Sequence, residues 1–164
     1  MNDGTLCALG VAISALAIVG ASPHTAAAAP NDGVALNGVY TVVSDGQMAK
    51  TNERFQDEAT VTARWTVSSD CTTFQDCTGH VESDQGWTAD IKYISNVWYL
   101  RRTLPNWEPC PDGSAAPGEQ TYYFWRDPDN TANLTGWDMT LGSSGACGIN
   151  KQLSIRMPLH LAPA

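Results

Sequence analysis

The residues predict a single all-β domain, folded as an eight-stranded up-and-down meander barrel, with a two-sheet sandwich as the alternative. Three observations carry this. Beyond residue 30 no segment has the 3.6-residue period of a helix, whereas period-2 alternation rich in Val, Ile, Thr, Tyr and Trp recurs at short intervals. Two connections between these runs have hairpin length and turn-forming composition. Closure into a barrel also removes the exposed edges that a flat sheet of eight strands would offer for aggregation.

The strands are expected near residues 36–43, 59–68, 77–83, 87–94, 97–104, 120–126, 134–141 and 152–161. In the second, Val61, Ala63, Trp65 and Val67 share one face and Thr60, Thr62, Arg64 and Thr66 the other. The last sets Leu153, Ile155, Met157, Leu159 and Leu161 against Ser154, Arg156, Pro158 and His160. One face is buried and one is wet. Pro158 has no amide hydrogen to give, so it marks an edge, a bulge or a fraying end. Asp84-Gln85-Gly86 and Ser95-Asn96 are the hairpin turns that make consecutive strands neighbours.

A meander assigns each loop to one end of the barrel by strand parity. Loops after the first, third, fifth and seventh strands, residues 44–58, 84–86, 105–119 and 142–151, share one rim. Cys110 and Cys147 both fall there, so a Cys110–Cys147 bridge is geometrically reasonable. At the other end, in 69–76, Cys71 and Cys77 flank a hairpin tip that a second bridge would staple. Four cysteines allow three pairings, and parity with locality favours this one. Zinc is the poorer reading, because the spacings do not form paired C-x2-C motifs. No cofactor motif is present.

Residues 1–29 read as a signal peptide and 30–164 as the exported domain. Leu6 to Ala21 is an almost unbroken apolar run, too short for a bilayer span, which needs about 20 residues. Small residues from Thr25 to Ala29 then supply an A-x-A cleavage pattern. A basic residue before the apolar run is missing, and Asp3 stands there. Cys7 should leave with the signal, which leaves four cysteines in an oxidising compartment and no integral membrane segment. Cleavage removes Asp3 and no basic residue, so the domain carries 16 acidic against 9 basic side chains. That balance repels phosphate backbones, so nucleic acid is a poor partner. The one adjacent basic pair, Arg101-Arg102, lies in a strand, where alternation points the two side chains to opposite faces.

Few residues suggest catalysis. His80 and His160 alternate outward and read as surface side chains. Gly142-Ser143-Ser144-Gly145-Ala146 approaches a nucleophile elbow but ends in Ala and precedes a strand. Asp127-Pro128-Asp129-Asn130 lacks the third ligand and the glycine of a calcium loop, and reads as a turn. Asn133-Leu134-Thr135 matches a glycosylation sequon, a pattern too short to decide anything. Asp84, Glu108, Asp112 and Glu119 would gather at the rim with Cys110 and Cys147, and a hydrolase would need two of them at a defined separation. Trp65, Trp87 and Trp137 fall on apolar faces and read as core. Trp107 differs, because it stands in the proline-stiffened Leu104-Pro105-Asn106-Trp107-Glu108-Pro109-Cys110-Pro111 and is placed to offer an indole at the barrel mouth or to plug it.

Asp76-Cys77-Thr78-Gly79, Ser83-Asp84-Gln85-Gly86-Trp87-Thr88-Ala89, Pro105-Asn106-Trp107-Glu108-Pro109-Cys110-Pro111-Asp112-Gly113 and Ser144-Gly145-Ala146-Cys147-Gly148 resemble segments of small exported mycobacterial proteins of uncharacterised function. Leu36-Asn37-Gly38-Val39-Tyr40 is similar to the opening of lipocalin-like barrels and of the extracellular domains of mycobacterial Ser/Thr kinases. The first resemblance brings no activity with it. The expectation is a secreted, non-enzymatic module that binds a small molecule or a protein, its working surface formed by Asp84, Gln85, Trp107 and Glu108 beside the Cys110–Cys147 bridge. A small exported hydrolase using rim carboxylates and a structural envelope protein are the alternatives.

Overall fold

A computed structural model describes residues 33–164. The segment expected to be a signal peptide, residues 1–29 with Cys7, lies outside the described residues. Ten strands follow in order: β1 (Gly38–Ser44), β2 (Lys50–Thr51), β3 (Arg54–Phe55), β4 (Val61–Thr73), β5 (Asp76–Ser83), β6 (Thr88–Ile94), β7 (Val97–Pro109), β8 (Ala115–Arg126), β9 (Leu134–Gly142) and β10 (Ser154–Pro163). Eight of them, all but β2 and β3, pair with their neighbours in antiparallel order, and β10 returns to pair with β1. The sheet is a closed meander barrel, as the alternation predicted, and the sandwich is excluded. All eight expected strands are present.

Three segments differ from expectation. The 45–60 connection is not a plain loop: a 3-10 turn at Gly46–Met48 leads into the small β2–β3 hairpin, which extends the β1 edge along β10. Pro158 sits at the break between β1 and β2, where its carbonyl accepts from the Asp45 amide at 2.8 Å. Cys71, expected in the 69–76 loop, also lies inside a strand, because β4 runs on to Thr73, and it stands directly opposite Cys77 in the β4–β5 ladder.

The third difference matters most for the rim. The expected 105–119 loop is largely strand, and only 110–114 forms a tight turn, closed by Cys110 N to Ser114 O at 2.8 Å. Register runs to Leu104↔Gly118 and resumes at Glu108↔Ala116, so Pro105, Asn106 and Trp107 oppose Pro117 alone. Prolines 105 and 117 cannot donate to a ladder, and the bulge places both where no ladder pair is required. The bulge turns two consecutive side chains, Trp107 and Glu108, inward.

The interior divides along the barrel axis. Its middle is filled by Trp65, Trp98, Phe124, Leu100, Ile91, Val81, Leu134, Leu159 and Leu161. Trp65 meets Tyr122 edge-on at 5.0 Å and Trp87 at 5.4 Å, the edge-to-face arrangement that ring quadrupoles favour. Trp137, expected in the core, faces outward instead, half-buried with the Arg156 guanidinium 4.8 Å above it. The inward positions of β9 are Leu134, Gly136, Asp138, Thr140 and Gly142. Three large rings already crowd a narrow barrel, so β9 turns small and polar residues in and its bulky ones out.

Candidate functional site

Strand parity places four connections at one end, and the structure puts them there. The disulfide Cys110–Cys147 links two of them, and Cys71–Cys77 staples the opposite end. Inside the bridged end lies a cavity of about 280 Å³. Val61, Leu104, Trp107, Ile155 and Met157 supply apolar wall, and Arg102, Gln120, Tyr122, Asp138 and Thr140 supply its polar side. Glu58 and Ala59, from the excursion between β1 and β4, and Gln85, from the β5–β6 turn, complete the mouth. A larger hollow of about 640 Å³ on the outer wall is lined by Asp90, Lys92, Ile94, Tyr99 and Arg101, four of them exposed. The mouth cavity is the better candidate because its polar groups are buried and mutually oriented.

That orientation is a directed chain. Arg102 Nε donates to Gln120 Oε1 at 2.7 Å, Gln120 Nε2 donates to Asp138 Oδ1 at 2.8 Å, and Ser44 Oγ donates to Asp138 Oδ2 at 2.8 Å. Each acceptor in the chain has a donor, which is the condition for burying such groups at tolerable cost. The Arg102 guanidinium also lies 4.3 Å over the face of Trp87, which folds in from the β5–β6 turn and stacks on Tyr122. A phenol and the carboxyl of this chain are tuned by the environment. Burial, then the neighbouring Asp138 charge, pushes the Tyr122 phenol up. Burial likewise raises the Asp138 carboxyl, against the lowering effect of Ser44, Gln120 and Arg102.

A stability consequence follows for Asp138. A carboxyl raised in the folded state keeps its proton where the unfolded chain has lost it, so its contribution is fully present below the ordinary value of 3.8 and is lost as pH rises. Asp138→Asn retains an acceptor for Gln120 and offers a donor to Ser44 Oγ. The variant is expected to be more stable than the parent at pH 7 and to lose less stability between pH 4 and 7. Urea denaturation at both pH values checks this, and parallel pH profiles would contradict it.

Of the expected site residues, two meet at the cavity. Gln85 stands at its entrance, and Trp107 lies flat on Gly118, where an added Cβ would come within 2.7 Å of the indole. Asp84 is turned away: its Oδ1 accepts from the Arg64 amide at 3.0 Å and pins the turn to β4. Glu108 is buried at 9% exposure, packed over Gly142, with its carbonyl oxygen within 4.0 Å of both sulfurs of the Cys110–Cys147 bridge. The remaining rim carboxylates diverge too. Asp112 is held by the Ser114 hydroxyl and amide, which lower its pKa, and Glu119 accepts from Thr103 Oγ1 on the outer wall. The four carboxylates therefore do not converge on one cleft.

Arg102, Gln120, Asp138, Ser44 and Tyr122 were not singled out from the sequence as site residues. One signal was available for Arg102: if the Arg101-Arg102 side chains point oppositely, one cation must enter the barrel and find partners there. Gln120 shares a period-2 face with Tyr122 and Phe124, which marks it as an inward polar residue.

The fold defines a class, the closed eight-stranded antiparallel barrels. Within that class the chain is similar to a solved structure from M. tuberculosis, the monomer form of the PknI sensor domain, with a TM-score of 0.60 and 14% identity. The likeness covers 80% of this chain and 88% of that one, and it bears out, at the level of fold, the resemblance of residues 36–40 to mycobacterial kinase extracellular domains. No family model and no curated protein matches the chain. Among the described residues, no helix is long and apolar enough to cross a membrane.

Proposed function

We propose that this chain is an extracytoplasmic, non-enzymatic binding module that takes a small molecule into the bridged mouth of its barrel. The observation that carries the reading is the cavity, close in size to the smaller ligand sites of proteins and walled by apolar side chains around a few oriented polar groups. Two disulfides support an oxidising compartment, as does the apolar segment at residues 6–21, read as an export signal. The similar solved structure is called a sensor domain, which accords with binding rather than turnover. Gln85 and Trp107 act here as mouth residues, and Glu108 as a support beneath the bridge.

Ligand-observed NMR with a library of small polar and amphipathic metabolites tests the proposal. Val61→Trp is the control, because Val61 lines the cavity yet is 36% exposed, so a large ring there blocks the mouth without entering the core. Binding to the parent with loss in Val61→Trp is the expected result. Equal binding to both, or no binder in the library, would refute it.

A further inference from the structure

We propose that the ligand of this cavity is a small organic monocarboxylate, held by the terminal nitrogens of Arg102; the inference rests on the binding role assigned to the barrel mouth. Arg102 is the only cation among the residues that line the cavity. Its Nε is committed to Gln120, and its plane is fixed over Trp87, so the guanidinium cannot swing freely. Its two terminal nitrogens make no hydrogen bond among the described residues. A guanidinium oriented in this way presents a pair of parallel N–H donors, the geometry that a carboxylate meets with two oxygens.

The carboxylates already present are poor competitors for that edge. Both Asp138 oxygens are occupied by Gln120 and Ser44, and burial disfavours its charged form. Glu58 at the mouth accepts from Thr51 Oγ1 at 3.0 Å. An anion arriving at Arg102 thus neutralises a partly buried cation that its neighbours leave unpaired. A single cation in a wall that also carries Glu58 favours one negative charge over the two of a phosphate monoester.

The rest of the lining sets the ligand's body. Val61, Leu104, Trp107, Ile155 and Met157 line the same cavity as Arg102 with aliphatic and indole surface. At about 30 Å³ per water, 280 Å³ holds roughly nine waters, which limits the ligand to on the order of ten non-hydrogen atoms. A carboxylate with a short alkyl or aryl tail satisfies head, wall and volume together.

Calorimetric titration of the purified protein with straight-chain carboxylates of increasing length, their primary amides and inorganic phosphate tests this. Carboxylates are expected to bind, with affinity rising with chain length until the cavity is full. The matching amides should bind at least tenfold more weakly. Arg102→Gln, and Arg102→Met as a second neutral variant should the first misfold, are expected to cost about 10- to 100-fold in carboxylate affinity. Val61→Trp should abolish binding of every chain length. Amides binding as tightly as carboxylates, with both blocked by Val61→Trp, would overturn the carboxylate assignment and leave the binding role standing. Phosphate binding more tightly than any carboxylate, or full affinity in the Arg102 variants, would also overturn it. Absence of binding by carboxylates and amides alike would overturn both.

Discussion

Trp65→Ala is expected to destabilise the domain by about 4 kcal/mol, the largest effect of any single truncation in the barrel. Trp65 is 1% exposed and touches Trp87, Tyr122 and Phe124, so its removal opens a void that several rings border at once. Neighbouring strands cannot collapse into that void, because the closed hydrogen-bond ladder fixes the barrel's radius. A domain of this size has a total stability of about 5–15 kcal/mol, so the variant should be near the edge of folding at 37 °C. Urea denaturation checks the magnitude, read as a fall in midpoint at unchanged slope. A loss under about 1 kcal/mol would mean that the aromatic cluster is not the packed centre described above.

Removing the Cys110–Cys147 bridge is expected to cost about 4 kcal/mol, against about 2 kcal/mol for Cys71–Cys77, because chain-entropy loss grows with the closed loop. The separations are 37 and 6 residues. Paired serine substitutions measure each cost separately. The long-range bridge also ties the 110–114 turn to the loop before β10, directly over Glu108 and Trp107, so its loss should weaken ligand binding as well as folding. The hairpin staple lies at the far end and should leave affinity unchanged. Equal effects of the two pairs on affinity would detach the mouth from the bridge.

Much of the barrel was legible because period-2 alternation is strong where one face is apolar. Strands β4 and β10 show it over their whole lengths, and strand parity then carried both disulfides to the correct ends. One miss arises in a strand whose two faces are both mixed. In β9, alternation is plain, but Trp137, Met139 and Leu141 look like a core face beside Gly136, Asp138 and Thr140. Only the crowding by Trp65, Trp98 and Phe124, contributed by distant strands, reverses that reading. The same non-local information decides that Arg102 rather than Arg101 enters the barrel. Strand β7 was read as ending at Leu104 because Pro105 and Pro109 argue against a ladder. A bulge opposite Pro117 accommodates Pro105 without a lost hydrogen bond, and local propensity cannot anticipate it. Trp107 and Gln85 meet at the cavity because strand parity brings their segments to one end of the barrel, whereas Asp84 and Glu108 are drawn into turn and bridge packing.

The seam that closes the barrel joins its first strand to its last, with Tyr40 opposite Pro163 and Ser44 opposite Leu159. No rearrangement of the intermediate strands can substitute for those final residues. A chain made amino terminus first can form β1 and β4 to β9 only as an open, edge-exposing sheet until residues 154–163 arrive. Contacts this distant in sequence carry a high loop-closure cost and slow the rate-limiting step of folding. Strand β10 is therefore this protein's point of commitment, and without it β1 and β9 would be two free edges of an open sheet.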